Sequence, residues 1–200
     1  MNQIETAGRC LAAILVLVLG LVPLAGRAEK YLSIAEAQRL CFPQAADFEE
    51  QLFHLDREQK ESIEKGSQVK VQNANCRCRL ARQGTNLLGV LFFDQVVGKH
   101  DLIDYVVAVS PEGKVLQVEV LEYREHYGDQ IRQPKWRDQF KGKTASARFK
   151  LNDDIYNISG ATISCRHVTE GVKRVLVTYE RVVRPRLAAT GRLPSTGVQP

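Results

Sequence analysis

Residues 87–123 read LLGVLFFDQVVGKHDLIDYVVAVSPEGKVLQVEVLEY, three β-branched and apolar runs joined by two polar turns. The turns are Gly98–Asp101 and Pro111–Lys114, and an earlier turn signal stands at Gln83–Asn86, downstream of a short apolar run at 69–71. Runs and turns at this spacing are typical of antiparallel hairpins. In the last run Glu119 alternates with its valine neighbours, which predicts that one face of the sheet is solvated.

Helical patterns flank this strand region on both sides. Upstream, the sequence predicts a short helix over 33–40 and a second helix from Asp56, capped with Gln59 and ended by Gly66. Downstream, it predicts a short helix over 134–140 and a longer amphipathic helix from Thr162 to about Tyr179. The predicted fold class is therefore α+β, a twisted antiparallel sheet with helices packed on it.

Composition excludes two broad classes of protein. With 44% hydrophobic and 26% charged residues, the 200-residue chain is neither disordered nor built like a multi-span membrane protein. The net charge of +5 comes from the two ends, because residues 29–180 hold 22 basic and 22 acidic residues. This balance argues against a nucleic-acid partner. We expect residues 184–200 to form a disordered basic tail.

The N-terminus has the pattern of an export segment. Residues 11–25 form an apolar run between Arg9 and Arg27, and Gly26-Arg27-Ala28 supplies small residues for cleavage. We interpret 1–28 as a signal peptide, and an uncleaved membrane anchor is the alternative. Both interpretations place the domain outside the cytoplasm, either periplasmic or anchored to the inner membrane.

Four cysteines remain after this segment, Cys41, Cys76, Cys78 and Cys165. Export permits disulfides, but the sequence does not fix a pairing, so structural thiols and a single bridge both stay open. Cys165 and His167 lie two positions apart in a helical pattern and point to different faces, which argues against a metal site.

The segment Ile158–Ser164, ISGATIS, leads directly into the long final helix. Gly160 and Ala161 remove side-chain bulk, so a ligand can approach the backbone closely. Hydroxyls at Ser159, Thr162 and Ser164 stand where free N–H groups and the helix dipole favour an anion. An ordinary capped helix after a tight turn has the same residues, and this alternative stays open.

The pattern Ser-Gly-Ala-Thr-x-Ser before an amphipathic helix resembles the flavinylation motif of the FMN-binding domain family. That family includes the G subunit of Rnf electron-transport complexes and the C subunit of sodium-translocating NADH:quinone reductases. The segments YREHYGDQI at 123–131 and QFKGK at 139–143, with Trp136 between them, are similar to the family in order and spacing. The resemblance covers about residues 30–180, so we place an FMN-binding domain at 29–183.

The resemblance implies an FMN joined through its phosphate to the hydroxyl of Thr162. A flavin transferase, using FAD and magnesium, makes this bond in the family. The implied cofactor-binding residues are Ser159, Gly160, Ala161, Thr162, Ser164, Glu125, Tyr127, Gly128 and Trp136, with Lys141 and Lys143 as candidates to neutralise charge. The implied function is an electron carrier, a relay between redox partners at or near the membrane with no substrate of its own.

One departure from the family pattern leaves alternatives open. The family has an aspartate three positions before the motif serine, where this chain has Tyr156, and Asp153 and Asp154 stand two or three residues upstream. The alternatives are non-covalent FMN, a binding or structural module that keeps the fold without flavin, and a flavin-dependent reductase of a small molecule. Next to the motif, Cys165 is interpreted as a small buried side chain.

Overall fold

Residues 29–125 and 128–193 are described by a computed structural model, in which six antiparallel strands form one sheet in the order β1-β6-β5-β4-β3-β2. The strands are β1 (Glu29–Lys30), β2 (Asp47–His54), β3 (Asn75–Gln83), β4 (Asn86–Val97), β5 (Leu102–Val109) and β6 (Val115–Tyr123). The helices are α1 (Ile34–Cys41), α2 (Arg57–Ser67), α3 (Pro134–Arg137), α4 (Thr162–Thr178) and α5 (Arg184–Ala189). Single 3-10 turns occupy Asp129–Arg132 and Asp138–Phe140, and a π-helical turn, Tyr179–Val183, joins α4 to α5.

The predicted α+β class and the hairpins are confirmed. β3, β4, β5 and β6 are joined in succession at the three predicted turns, and each neighbouring pair is antiparallel. The run at 69–71, which we took as part of the strand region, is a loop instead. Val71 packs with Leu55 and Ile63 in a small core of its own, so its apolar character serves packing rather than pairing. The strand β2 was not predicted, because four charged or amide residues within it obscure the alternation.

Both faces of the sheet are covered by helices. On one face α4 packs through Val168 and Val172 against β-strand residues such as Tyr105 and Val107, all fully buried. On the other face Ala37 and Cys41 of α1, with Phe42 directly after it, form a smaller core over Leu91, Val106 and Ala108. Burial of these side chains provides most of the driving force for folding.

The predicted solvated face is wrong at Glu119, which is 5% exposed. Its carboxylate forms an ion pair with the Arg137 guanidinium, and it also accepts a hydrogen bond from the Gln117 amide at 2.7 Å. Arg137 in turn donates to the carbonyls of Arg132 and Val118, at 2.7 Å each. A buried charge is tolerated only when paired and hydrogen-bonded in this way.

For α2 the structure confirms the predicted N-terminal cap but not the predicted C-terminal end. The Asp56 carboxylate accepts from the Gln59 N–H at 2.8 Å, and the Gln59 amide oxygen accepts from the Asp56 N–H at 3.2 Å, so the predicted capping box of α2 is confirmed. The predicted end at Gly66 is wrong. The helix continues to Ser67, and Gln68 takes the left-handed conformation, with φ 61°.

The tail predicted from residue 184 is also wrong over the part that the structure describes. The π-helical turn carries the chain from α4 into α5, where Leu187 is 2% exposed. Arg181 donates to the Ser62 carbonyl at 2.7 Å, and the Arg186 guanidinium lies 5.4 Å from the centre of the Phe53 ring. The basic residues therefore dock this segment on α2 and β2. The signal or anchor at 1–28 and the last residues, 194–200, lie outside the described residues.

β3 and β4 pair over only part of their length. The two strands pair from the Gln83–Asn86 turn only as far as Cys78 and Phe92, although β3 continues to pair with β2 as far as Asn75. A cavity of about 1250 Å³ opens where they diverge, and Thr162 does not line it. All four cysteines of the described segments are free thiols. None of the helices in these segments is long and apolar enough to cross a membrane.

Candidate functional site

Thr162 is the first residue of α4, a helix of 17 residues. Its side chain is half-buried, and its hydroxyl oxygen accepts a hydrogen bond from the Asn157 amide nitrogen at 2.9 Å. No side chain caps this helix within the described residues, because Ala161 occupies the N-cap position. The N–H groups of the first turn and the positive end of the helix dipole are therefore left for another acceptor beside the Thr162 hydroxyl.

The residues before Thr162 leave open space next to it. Ser159 and Gly160 are exposed, and no atom lies within 4 Å of the position that a Cβ at Gly160 would occupy. Gly160 has φ +84°, a conformation that other residues rarely adopt. Ala161, in contrast, is 4% exposed and faces the protein. The predicted motif residues thus share one turn, with the serine and glycine on its open side.

Ser164 lies on the buried side of the turn, and its role as a cofactor ligand stays a prediction. It is 3% exposed, and its hydroxyl lies 3.3 Å from the Tyr123 hydroxyl. This hydrogen bond joins the first turn of α4 to the end of β6. Cys165 is fully buried next to it, in agreement with its interpretation as a small core side chain.

Gly128 forms the other wall of this turn. It has φ +93°, and a Cβ placed there would lie 2.6 Å from the Ala161 Cβ and 2.7 Å from the Tyr123 hydroxyl. The loop after β6 can therefore approach the start of α4 only because residue 128 has no side chain. The neighbouring candidate Tyr127 lies outside the described residues.

We expect Gly128→Ala to destabilise the protein by about 2 kcal/mol, since it adds a steric clash to backbone strain. Urea unfolding measures the free energy of unfolding. Gly142→Ala is the matched control, because Gly142 also has a positive φ, +76°, but no atom within 4 Å of its Cβ position. The control should cost only about 1 kcal/mol of strain. Equal losses in the two variants would show that the close contact with Ala161 is unimportant.

Glu125 is hydrogen-bonded to the β4–β5 turn, and its role as a cofactor ligand stays a prediction. Its carboxylate accepts from the backbone N–H groups of His100 at 2.6 Å and Asp101 at 3.1 Å. Partial burial raises the pKa of Glu125, but hydrogen bonds from these two amides and from Lys99 outweigh it, and the pKa is lowered overall. Glu125 thus ties the loop after β6 to the β4–β5 turn.

This tie should be lost in acid. Because the pKa of Glu125 is lower in the folded protein, its stabilising effect is complete above the ordinary carboxyl pKa of about 4.3 and disappears as the pH falls below it. We expect the amides of His100 and Asp101 to lose protection from hydrogen exchange below that pH. In Glu125→Gln their protection should already be low at neutral pH and should change little on acidification. Protection in the wild type that persists in acid would argue against the tie.

Trp136 is a core residue, and its role in cofactor binding stays a prediction. It is 4% exposed and packs edge-on against Phe140, with 5.1 Å between the ring centres. Its indole N–H donates to the carbonyl of Tyr156 at 2.8 Å, while the Gln139 amide oxygen accepts from the Tyr156 N–H at 2.5 Å. These two residues hold the backbone of Tyr156 while its side chain stays 79% exposed.

Nearby charged residues are mostly committed to structural pairs. Lys141 pairs with Asp138 at 2.8 Å and Lys143 with Asp154 at 3.1 Å, and the role of either lysine in neutralising a ligand stays a prediction. The Asp154 carboxylate also accepts from the amides of Phe149 and Lys150, which fixes the loop that precedes the motif.

A cavity of about 300 Å³ opens beside Thr162. The loop 149–152 forms one side, and α4 forms the other with Thr162, Arg166, Thr169 and Glu170. Two loop residues, Phe149 and Asn152, have positive φ values of 54° and 62°. Asparagine adopts this conformation readily, whereas for Phe149 it is unusual and marks a strained backbone position.

Sequence reasoning missed three residues of this site, Lys150, Asn157 and Arg166. Arg166 could have been found, because it lies four positions after Thr162 and so on the same helical face. Lys150 and Asn157 lie in an irregular loop whose path no periodicity predicts.

Comparison with known proteins identifies the family that the chain resembles. Residues 98–177 match the model of the FMN-binding domain. The predicted resemblance to this family and the prediction of FMN as cofactor are thereby confirmed. The FMN-binding match includes β5, β6, the Trp136 loop and nearly all of α4.

One curated relative is the G subunit of the proton-translocating ferredoxin:NAD(+) oxidoreductase complex of Clostridium ljungdahlii. It is 30% identical over 103 residues, which are 48% of this chain and 56% of that protein, so the chain spans about half the length of this relative. Among solved structures, NqrC of Shewanella oneidensis has a similar fold, with a TM-score of 0.54 and 18% identity. The similarity covers 76% of this chain and 88% of NqrC.

The residues at the start of α4 fit a flavin phosphate. The Thr162 hydroxyl borders open space, and the cavity beside it carries the basic side chains of Lys150 and Arg166. The oxygen of the Asn157 amide is buried without a hydrogen-bond partner in the described part of the chain. This atom lacks a donor, which a phosphodiester does not offer, so the fit to a phosphate rests on the helix terminus and the two basic side chains.

Proposed function

We propose that this chain is an exported flavoprotein that carries electrons on an FMN joined to Thr162 by a phosphodiester. The observation that carries the proposal is the Thr162 hydroxyl, half-buried at the uncapped start of a 17-residue helix, beside an open cavity. A phosphodiester keeps one negative charge, which the helix N-terminus stabilises. A covalent bond also prevents loss of the cofactor outside the cytoplasm, where it could not be replaced.

Bound FMN supplies reversible one- and two-electron chemistry, and the protein supplies placement and electrostatics. Thr162 provides the oxygen of attachment, and the Asn157 amide orients that oxygen by its hydrogen bond. Ser159 and Gly160 leave the motif accessible to a flavin transferase, which we propose as the maturation partner. Gly128 and Ala161 hold the turn against the end of the sheet.

The role of a relay is supported by the kind of protein that the chain resembles. The Clostridium relative is named as a subunit of an oxidoreductase complex. By analogy we propose that the redox partners of this chain are proteins at or near the membrane, and that the domain lies outside the cytoplasm. The cavity beside Thr162 is open to solvent, so a partner can approach a flavin held there.

The experiment is in-gel flavin fluorescence of the denatured full-length protein, produced with and without a flavin transferase. We expect a fluorescent band only with the transferase, because a phosphodiester survives denaturation and a bound but unattached flavin does not. A dark band in both samples would contradict covalent attachment.

A second candidate, a binding module that keeps the fold without flavin, is favoured by Tyr156. Its exposed phenol stands where the family motif has an aspartate. A protein that is colourless after production with transferase and abundant flavin would support this second function.

A further inference from the structure

Arg166 and Lys150 differ from the other basic residues around Thr162, which pair with carboxylates. Arg148 pairs with Asp153 at 2.7 Å and Lys143 with Asp154 at 3.1 Å. The guanidinium of Arg166 forms no ion pair or hydrogen bond with any residue of the described segments, and the same holds for the ammonium group of Lys150. Two uncommitted cations therefore line one small cavity.

Both cations line the cavity that Thr162 also lines. Arg166 follows Thr162 by one helical turn and lines the same cavity, and Lys150 lies across from it on the loop 149–152. The one carboxylate in the lining, Glu170, is a further turn along α4, where its charge also acts on Arg174. The end of the cavity at Thr162 thus combines two cations with a positive helix terminus.

The Asp154 carboxylate holds the backbone of the loop that carries Lys150. The Asp154 carboxylate accepts from the Lys150 N–H at 2.6 Å and from the Phe149 N–H at 3.1 Å. The Lys143 ammonium completes these contacts at 3.1 Å. Lys150 is therefore presented to the cavity by a loop whose backbone is already ordered, so the loop itself need not be ordered when an anion binds.

We propose that this cavity is a phosphate subsite in which Arg166, assisted by Lys150, binds the phosphate of a flavin mononucleotide. The inference rests on the proposed function and adds the residues that recognise the phosphate. A guanidinium offers several N–H donors in a plane that matches phosphate oxygens, and an ammonium group adds a point charge. The subsite holds the phosphate beside the Thr162 oxygen, before and after attachment.

The test compares FMN with riboflavin, which has the same ring and ribityl chain but no phosphate. Full-length protein produced without a transferase, with Thr162 unmodified, is titrated with each flavin by fluorescence. We expect FMN to bind about tenfold more tightly than riboflavin, a modest ratio because the cations are partly exposed. Inorganic phosphate should compete with FMN and not with riboflavin.

Two substitutions and a matched control assign the effect to these residues. In Arg166→Gln we expect the ratio to fall to about twofold, with the affinity for riboflavin unchanged. Lys150→Gln should reduce the ratio less, since its ammonium group lacks the planar set of donors. Arg148→Gln removes a nearby cation that does not line the cavity and should leave the ratio as in the wild type.

Equal affinity of the wild type for the two flavins, or no binding of either, would overturn the phosphate subsite. An unchanged ratio in Arg166→Gln would overturn the role of Arg166. These outcomes are independent of the proposed function, because a fluorescent band after production with transferase would still show covalent attachment. Conversely, a dark band would not alter a preference for FMN that disappears in Arg166→Gln.

Discussion

Thr162→Val should abolish covalent flavin attachment completely. Valine has nearly the shape of threonine but no hydroxyl, so the oxygen that forms the ester is lost while packing at the start of α4 is kept. The lost hydrogen bond from Asn157 lies at a half-buried position, and we expect it to cost about 1 kcal/mol of stability at most. In-gel fluorescence after production with a flavin transferase measures the loss, and circular dichroism checks the fold.

Two variants control for this result. Thr162→Ser keeps a hydroxyl and should retain a flavin signal. Thr169→Val removes another hydroxyl that lines the same cavity, one that donates to the Cys165 carbonyl at 2.6 Å, and should retain the full signal. A signal that survives in Thr162→Val, or disappears in Thr169→Val, would assign the attachment to a different residue.

The largest loss of stability should follow Glu119→Ala. This change leaves the Arg137 guanidinium in the protein without its anion, and removal of one partner of a buried pair costs about 3–5 kcal/mol. The pair also lies beside Cys41, where burial and the negative charge of Glu119 raise the thiol pKa to about 12. Urea unfolding of the wild type and the variant measures the difference.

An exposed pair provides the matched control. Arg57 and Glu61 are 93% and 64% exposed, so Glu61→Ala should leave stability almost unchanged. The double variant Glu119→Leu, Arg137→Met should recover much of the loss, because it leaves no unpaired charge. A Glu119→Ala variant as stable as Glu61→Ala would mean that water reaches Arg137 and that the site is not dry.

The sheet could be predicted because its signals are local. Three turns of polar residues and glycine separate runs of β-branched residues, and each turn forms where this chemistry requires it. The start of α4 at Thr162 was predicted for a related reason, since a small-residue turn precedes one apolar helical face. The Asp56 capping box is likewise a four-residue pattern.

The errors involve contacts between residues far apart in the chain. The local pattern predicts that Glu119 is solvated, because it does not show the ion pair with Arg137, 18 residues later. The contacts of Trp136 and Glu125, which the family resemblance names as cofactor-binding residues, could not be predicted from the sequence either. In the fold Trp136 packs on Phe140, and Glu125 accepts hydrogen bonds from the amides of the β4–β5 turn. Residues 184–193 are basic and near a terminus, yet Leu187 is buried in the core.

The measurement that tests the central claim most directly is mass spectrometry of peptides from the full-length protein, produced with a flavin transferase. We expect one peptide to carry the added mass of FMN less water, and fragmentation to locate it at Thr162. Unmodified Thr162 in every peptide, or FMN located at another hydroxyl such as Ser159, would contradict the account.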